Sequence, residues 1–146
     1  EVIREDALSV GIGVIEVPVI DQVNILQATL MAMAEAVDGL SLPPDYLLVD
    51  GLHRIPRNIS QQTLVKGDTL SVSIASASII AKVSRDRILE IYHRQFPQYN
   101  FLKNKGYGTK EHREAIQAYG LCKIHRRSFK IKRKPPLSQQ SAALFE

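Results

Sequence analysis

The stretch Tyr46-Leu47-Leu48-Val49-Asp50-Gly51 joins a short apolar run to an acid and a glycine. A turn at Pro43-Pro44-Asp45 precedes it, and such a run is typical of a strand buried on both faces. An acid at the carboxyl end of a buried parallel strand points into the crevice where open α/β sheets bind ligands. Asp50 is therefore a candidate site residue, although Asp50-Gly51 is also typical of a plain turn.

The segment before this run predicts a strand and then a helix. β-Branched residues from Ser9 to Ile20 predict one strand, or two short ones broken at Pro18. Asp21 is the predicted N-cap of a helix that Gly39 ends, because apolar residues follow Asp21 at three- and four-residue spacing.

The segment after Asp50 predicts a short strand and two helices. Thr63 to Val65 has strand character, and Lys66-Gly67-Asp68 is a turn. A helix is predicted from Ser73 to the residue before Pro97, and another from the N-cap Thr109 through Tyr119. Asp86 lies near one face of the long helix, either as a site residue or as a surface partner of Lys82, one turn away, or of the neighbouring arginines.

Composition limits the class of protein. The chain has 146 residues, of which 45% are hydrophobic and 23% charged, which predicts one globular domain. The single cysteine, Cys122, has no disulfide partner, and this predicts a reducing, cytoplasmic location. Glycines, Glu16 and Pro18 interrupt the apolar run Val10 to Ile20, so neither a signal peptide nor a membrane span is expected.

Positive charge is concentrated near the carboxyl end. The formal net charge is +4, and the segment from Lys123 to Lys134 contains seven bases and no acid. Such a segment suits a phosphate backbone, and a solvated basic face is the alternative. The seven bases are Lys123, Arg126, Arg127, Lys130, Lys132, Arg133 and Lys134.

Short motifs from about Ile20 to Phe129 resemble bacterial ribonuclease HII in sequence and in order. They are Ile20-Asp21-Gln22-Val23-Asn24-Ile25-Leu26-Gln27-Ala28-Thr29, Leu47-Leu48-Val49-Asp50-Gly51, Val65-Lys66-Gly67-Asp68, Ala75-Ser76-Ala77-Ser78-Ile79-Ile80-Ala81-Lys82-Val83-Ser84-Arg85-Asp86, Lys105-Gly106-Tyr107-Gly108-Thr109 and His125-Arg126-Arg127-Ser128-Phe129.

The resemblance implies an α/β, RNase H-like fold, in which helices flank a mixed sheet. It also implies an endoribonuclease that uses Mn²⁺ or Mg²⁺ to cleave RNA–DNA hybrids and single ribonucleotides embedded in duplex DNA. Asp50 and Asp86 match the third and fourth of the family's four catalytic, metal-binding acids. Hard divalent cations prefer such carboxylate oxygens, and a pair of them would support two-metal hydrolysis.

The same resemblance assigns nucleic-acid contacts. Tyr107 matches the tyrosine that packs against the sugar beside the ribonucleotide. Gly106 would let the backbone approach the nucleic acid, and Lys105 would meet a phosphate. Arg126 and Arg127 are candidate phosphate contacts, or they brace the carboxyl-terminal segment through hydrogen bonds.

The chain departs from the family at its start, because it lacks the strand bearing Asp-Glu-x-Gly-Arg-Gly. We therefore expect an N-terminally incomplete fold, with residues 1–134 as the carboxyl-terminal part of one catalytic domain and residues 135–146 as a flexible polar tail. The isolated chain is expected to be inactive. The alternatives are a catalytically inactive remnant that binds hybrids, and a structural remnant that folds only with a partner supplying the first strands.

The expected partners follow from the same resemblance. They are an RNA–DNA hybrid or a ribonucleotide-containing duplex, bound by a monomer with no membrane contact. The tail from Gln140 to Phe145 resembles short peptides that dock on sliding clamps. A tail without function would have the same composition.

Overall fold

Helices flank a two-stranded parallel sheet in the part of the chain that the computed structural model describes, residues 2–129. The predicted α/β class is confirmed. The helices are α1 (Val2–Asp6), α2 (Val17–Val23), α3 (Ile25–Asp38), α4 (Val72–Gln95), α5 (Phe101–Asn104) and α6 (Lys110–Tyr119), and the strands are β1 (Tyr46–Asp50) and β2 (Ser60–Leu64). Short 3₁₀ turns span Gly67–Thr69 and Pro97–Tyr99. None of the helices described is long and apolar enough to cross a membrane.

Two of the predicted features lie outside the described residues. They are the second half of the basic segment, which contains Lys130, Lys132, Arg133 and Lys134, and the polar tail with its clamp-like end.

The two strands pair in parallel, with Asp50 opposite Leu64. The predicted strand ending at Asp50 is therefore confirmed. Its predicted burial on both faces is wrong within the described residues, because only Leu47 and Val49 are buried while Tyr46 and Leu48 lie on the other, exposed face. The buried face packs against α3 and the loop after β1. Its core consists of Ala34, Leu47, Val49 and Ile55, with Met33, Val37 and Ile59 packed around them.

A buried glutamine holds the loop after β1 against β2. Gln61 is 9% exposed. Its side-chain oxygen accepts a hydrogen bond from the Ile55 backbone N–H at 2.8 Å, and its nitrogen donates to the Ile55 and Arg57 carbonyls at 3.0 and 3.2 Å. Because the amide pairs with backbone groups on both sides, its burial leaves no unpaired polar atom and fixes the loop that follows Asp50.

The predicted strand from Ser9 to Ile20 is wrong. Residues 9–16 have no regular hydrogen bonding, and the chain from Val17 is helical. A strand needs a neighbour for its backbone groups, and no strand of the described residues lies beside this segment. Pro18 starts α2 instead of breaking a strand, since the first turn of a helix does not use the missing N–H.

Residues 9–16 instead lie against the backbone of α3. A Cβ atom at Gly11 would be 1.9 Å from the Ala36 carbonyl oxygen, and one at Gly13 would be 1.9 Å from that of Ala32. Neither position can accept a side chain without moving the segment away from the helix. The close approach therefore requires glycine at both positions.

Helix α3 begins later than predicted. Its N-cap is Asn24, which has a φ of 76° and whose side chain accepts hydrogen bonds from the Leu26 and Gln27 backbone N–H groups at 3.0 and 3.2 Å. Asparagine suits this position because it tolerates a positive φ and is a favoured N-cap. The predicted end at Gly39 is confirmed.

Asp21, the residue predicted to cap α3, lies inside α2 and binds the carboxyl-terminal turn. Its carboxylate accepts hydrogen bonds from the Arg127 N–H at 2.9 Å, the Ser128 N–H at 3.1 Å and the Ser128 hydroxyl at 2.5 Å. The Ser128 hydroxyl and these two N–H groups lower the pKa of Asp21. We call this set the Asp21 contact, and it holds the first part of the basic segment against α2.

The predicted helices in the second half of the described chain agree with the structure, and the strand predicted at Thr63 to Val65 overlaps β2. Helix α4 is continuous to Gln95 and ends before Pro97, and β2 begins three residues earlier than the predicted Thr63. The N-cap Thr109 accepts a hydrogen bond from the His112 N–H at 3.3 Å, and Gly120, with a φ of 78°, ends α6.

We predict that Gly13→Ala destabilises the fold, because the new methyl group would overlap the Ala32 carbonyl oxygen. Overpacking of this kind costs about 1–3 kcal/mol of unfolding free energy, to be measured by urea denaturation. Gly108→Ala is the matched control, since a Cβ there meets nothing within 4 Å. Equal stability of the two variants would contradict the close approach of residues 9–16 to α3.

We predict that Asp21→Ala releases the turn from residue 126 to 129. Amide hydrogen exchange at Arg127 and Ser128 should become faster because both N–H groups lose their acceptor. Asp45→Ala removes an exposed carboxylate elsewhere and should leave these rates unchanged. Since the pKa of Asp21 is lowered from 3.8, the contact in the unaltered chain should persist above that pH and be lost as the pH falls through the lowered pKa.

Candidate metal-binding carboxylates and nucleic-acid interface

Asp50 lies where the sequence predicted it, at the carboxyl end of β1 in a parallel pair. Its Oδ1 atom accepts a hydrogen bond from the Gly67 N–H at 2.9 Å. The position of Gly67 is tight, because a Cβ atom there would be 2.6 Å from Ile74 Cδ1 and 3.4 Å from Asp50 Oδ1. The turn after β2 therefore orients the Asp50 carboxylate, and its Oδ2 atom accepts no hydrogen bond from residues 2–129.

Asp86 lies on α4, paired with the residue one turn before it. Both carboxylate oxygens are 2.8 Å from the Lys82 ammonium nitrogen. The hydrogen bond and charge of Lys82 lower the pKa of Asp86, and the charges of Lys105 and Arg85 add to this effect. Asp86 is therefore a partner of Lys82, which is one of the alternatives that the sequence predicts. The lowered pKa keeps its carboxylate ionised.

The two carboxylates alone do not form a metal centre. Within residues 2–129, no three His, Cys, Asp or Glu side chains converge on one point. The oxygen donors of Asp50 and Asp86 fit Mn²⁺ or Mg²⁺ in kind. Two carboxylates, one already paired with an ammonium group, are too few to hold a pair of divalent ions. They fit a metal site only as part of a larger ligand set.

The loop around Tyr107 is built on Asn104, a residue that the sequence reading missed. The Asn104 side chain is buried, donates to the Tyr99 carbonyl at 2.6 Å and accepts from the Gly106 N–H at 2.8 Å. Lys105 and Gly106 both have positive φ, 49° and 76°. Glycine adopts this geometry without strain, whereas Lys105 is held in it by the hydrogen bonds around it.

Tyr107 is exposed and has a cation beside its ring. Tyr107 is 63% exposed, and the Arg85 guanidinium carbon lies 5.4 Å from the centre of its ring. Arg85 also donates to the Lys105 carbonyl at 2.8 Å. The Lys105 ammonium lies 3.8 Å from Glu90, so this lysine is turned towards α4. The structure thus adds Arg85 to the predicted cations of this loop.

Arg126 and Arg127 differ in their surroundings. Arg126 is half-buried with its guanidinium carbon 5.9 Å from the Phe129 ring, and its Nε atom has no hydrogen-bond partner in the described part of the chain. Arg127 is exposed, and only its backbone is fixed by Asp21. Its side chain lines a shallow groove with Lys123 and His125. The groove therefore places the cations of Lys123 and Arg127 beside the carboxylate of Asp21.

His112 and His125 connect the Tyr107 loop with the segment from Cys122 to Phe129, which we call the basic turn. His112 is 4% exposed, and its Nε2 atom lies 3.0 Å from His125 Nε2. The two residues are 13 positions apart and share no periodic pattern, so the sequence alone does not predict that their side chains meet. Their contact appears only when α6 packs against the turn from Cys122 to Phe129.

Comparison with known proteins identifies the family. The family model for Ribonuclease HII matches residues 2–132. A protein named Ribonuclease HII from Syntrophus aciditrophicus is 78% identical over all 146 residues, which is 69% of that relative. Ribonuclease HII of Geobacter metallireducens is 57% identical over 85% of this chain and 58% of the relative. That of Bacillus subtilis is 52% identical over 88% of this chain and 50% of the relative.

The chain therefore covers little more than half the length of most of these relatives. The match nevertheless includes Asp50, Asp86, Tyr107 and the described part of the basic segment. The chain belongs to the ribonuclease HII family.

Proposed function

We propose that this chain forms the larger part of an endoribonuclease that cleaves the RNA strand of RNA–DNA hybrids and single ribonucleotides embedded in duplex DNA. The observation that carries the proposal is the carboxylate of Asp50 at the carboxyl end of a parallel strand, oriented by the Gly67 N–H at 2.9 Å. Family membership supports it, because similar chains bear the name of this nuclease.

Asp50 and Asp86 would hold Mn²⁺ or Mg²⁺ together with carboxylates from outside the described residues. A bound divalent cation of this kind activates a water molecule and stabilises the leaving oxygen of a phosphodiester. The Gly67 N–H keeps Asp50 in one orientation, which limits the reorganisation that binding requires. Lys82 must turn away from Asp86 first, and its side chain is 54% exposed and free to enter solvent.

The nucleic-acid contacts follow from exposure and charge. The exposed ring of Tyr107 offers an apolar surface to a sugar, and Gly106 leaves room for backbone approach. Arg85 beside that ring and Arg127 in the groove provide cations for flanking phosphates. Lys105 can join them by leaving Glu90, because a 3.8 Å surface pair is weak. Arg126 would support the turn through its packing on Phe129.

A second candidate is a catalytically inactive remnant that binds hybrids. It is favoured by the pairing of both Asp86 oxygens with Lys82 and by the small number of carboxylates in the described residues. Retained binding without turnover distinguishes it from the nuclease. The cytoplasmic location, the monomeric state and the docking of the tail on a sliding clamp stay predictions of the same proposal.

We predict that Tyr107→Ala lowers cleavage at a single embedded ribonucleotide more than it lowers duplex affinity. The loss of one stacking contact costs about 1–3 kcal/mol, whereas phosphate contacts carry most of the affinity. The assay uses this chain joined to the Asp-Glu-x-Gly-Arg-Gly region of a ribonuclease HII relative. Tyr107→Phe is the matched control and should retain cleavage, because it keeps the ring. An equal loss of cleavage and affinity would make Tyr107 a folding residue.

We predict that the 146-residue chain alone does not cut a hybrid, and that joining the Asp-Glu region to it restores manganese-dependent cutting. In the joined protein, Asp50→Asn should abolish activity because it removes a ligand charge while keeping the shape. Asp86→Asn should also reduce activity, whereas Asp45→Asn, in an exposed turn, should not. Manganese-dependent cutting by the isolated chain that survives Asp50→Asn would show that the site assignment is wrong.

A further inference from the structure

A continuous path of hydrogen bonds connects Cys122 with Tyr107 through two imidazole rings. The Cys122 N–H lies 3.0 Å from His125 Nδ1, and the two Nε2 atoms of His125 and His112 are 3.0 Å apart. His112 Nδ1 is 2.9 Å from the Tyr107 carbonyl oxygen. We call this path the His112–His125 relay.

The end groups determine which nitrogen of each ring carries a proton. The Cys122 N–H can only donate, and the neutral Cys122 thiol, whose Sγ atom is 3.0 Å from the same nitrogen, can donate as well. His125 Nδ1 therefore accepts, and His125 carries its proton on Nε2. His125 Nε2–H then donates to His112 Nε2, which leaves the His112 proton on Nδ1. From there it is donated to the Tyr107 carbonyl, which can only accept. One neutral tautomer of each ring satisfies every bond in the path.

The surroundings of the relay favour a neutral His125 ring. The aromatic rings of Tyr99 and Phe101, each 2% exposed, pack against both histidines. Burial lowers the pKa of His125, and the neighbouring His112 lowers it further. Burial also raises the pKa of the Cys122 thiol and of the Tyr99 phenol, so both of these groups are neutral.

Charged groups of the described residues face His125 from the groove beside it. Asp21, Lys123 and Arg127 line that groove. The Asp21 carboxylate is already engaged by the backbone of Arg127 and by Ser128. Within residues 2–129, no carboxylate accepts a hydrogen bond from either imidazole, so no negatively charged partner there stabilises an imidazolium.

We propose that His112 and His125 are positioning residues that hold the Tyr107 loop at a fixed place relative to the Arg126–Arg127 turn, and that they do so only while both rings are neutral. The assignment of the two segments as nucleic-acid contacts rests on the proposed function. The relay itself does not.

Protonation opposes the relay at either ring. A proton on His125 Nδ1 would point at the Cys122 N–H, and a proton on His112 Nε2 would point at the His125 Nε2–H. The folded pKa of His125 is lowered from 6.5, so the unfolded chain binds the proton more readily. The stabilising contribution of the relay is therefore complete above about pH 6.5 and is lost as the pH falls through the lowered folded value.

The first test is long-range ¹H–¹⁵N NMR on the 146-residue chain at neutral pH. His112 should show only the Nδ1–H tautomer and His125 only the Nε2–H tautomer. On acidification, the amide signals of Tyr107 and Thr109 should shift with the same midpoint as the His125 ring. The opposite or mixed tautomers, or Tyr107 signals that do not follow His125, would overturn the proposal.

The second test separates hydrogen bonding from packing with two variants. His125→Gln places an amide donor near the position of Nε2, whereas His125→Asn keeps only the acceptor for the Cys122 N–H. Amide exchange at Thr109, whose N–H binds the Tyr107 carbonyl at 2.8 Å, should be about five- to tenfold faster in His125→Asn and near the original rate in His125→Gln. If His125 acted only by filling space, both variants should raise the exchange rate at Thr109 by a similar factor, since both side chains are smaller than imidazole.

His53→Asn, in the exposed loop after β1, is the matched control and should change neither the exchange rate nor the pH response. Equal exchange rates in the two His125 variants would overturn the proposal. If a variant does not fold, the tautomers measured in the unaltered chain still test the proposal. Binding of a ribonucleotide-containing duplex is measured separately, on the chain joined to the Asp-Glu-x-Gly-Arg-Gly region of a relative. Absence of binding would contradict the proposed function, while the tautomers and the shared pH midpoint would still test the relay.

Discussion

The parallel pairing of β1 with β2 positions the rest of the described structure. Because Asp50 lies opposite Leu64, the chain leaves β2 beside the end of β1. The Gly51 N–H extends the pairing by donating to the Leu64 carbonyl at 2.9 Å. The following turn then places the Gly67 N–H on Asp50, and α4 starts within a few residues of it. The acid at the strand end and the helix that carries Asp86 are therefore fixed by one strand register.

Helix α4 transfers this arrangement to the nucleic-acid contacts. It carries the candidate metal ligand Asp86 and its partner Lys82. Arg85, on the same helix, bonds to the Lys105 carbonyl and lies beside the Tyr107 ring. Asn104 completes the connection by bonding to both flanks of the loop. One continuous helix therefore contacts both the turn beside Asp50 and the Tyr107 loop.

Local signals in the sequence were sufficient for the elements whose determinants are local. Thr109 and Gly120 delimit α6 with their own side chain and backbone, and Pro97 ends the long helix. Predictions from the sequence are wrong where a group far along the chain determines the local structure. The β-branched residues from Ser9 onwards predict a strand, but they carry no information about whether another strand lies beside them. Asp21 was read as a cap because its partners, Arg127 and Ser128, are more than one hundred positions away. For the candidate site, motifs suggest the residues, but the pairing of Asp86 with Lys82 is only one of several alternatives that the sequence leaves open. No pattern in the sequence indicates the role of Asn104.

The Asp21 contact has a consequence for the order in which the molecule assembles. It joins Asp21 to Arg127 and Ser128, which follow it by 106 and 107 positions, so it closes most of the described chain into one loop. Closing a loop of that length in an unfolded chain is entropically unfavourable, and three exposed hydrogen bonds do not offset it on their own. The intervening strands and helices must dock first and bring the two ends together. The basic turn is then among the last parts to become ordered during folding and among the first to detach when the core loosens.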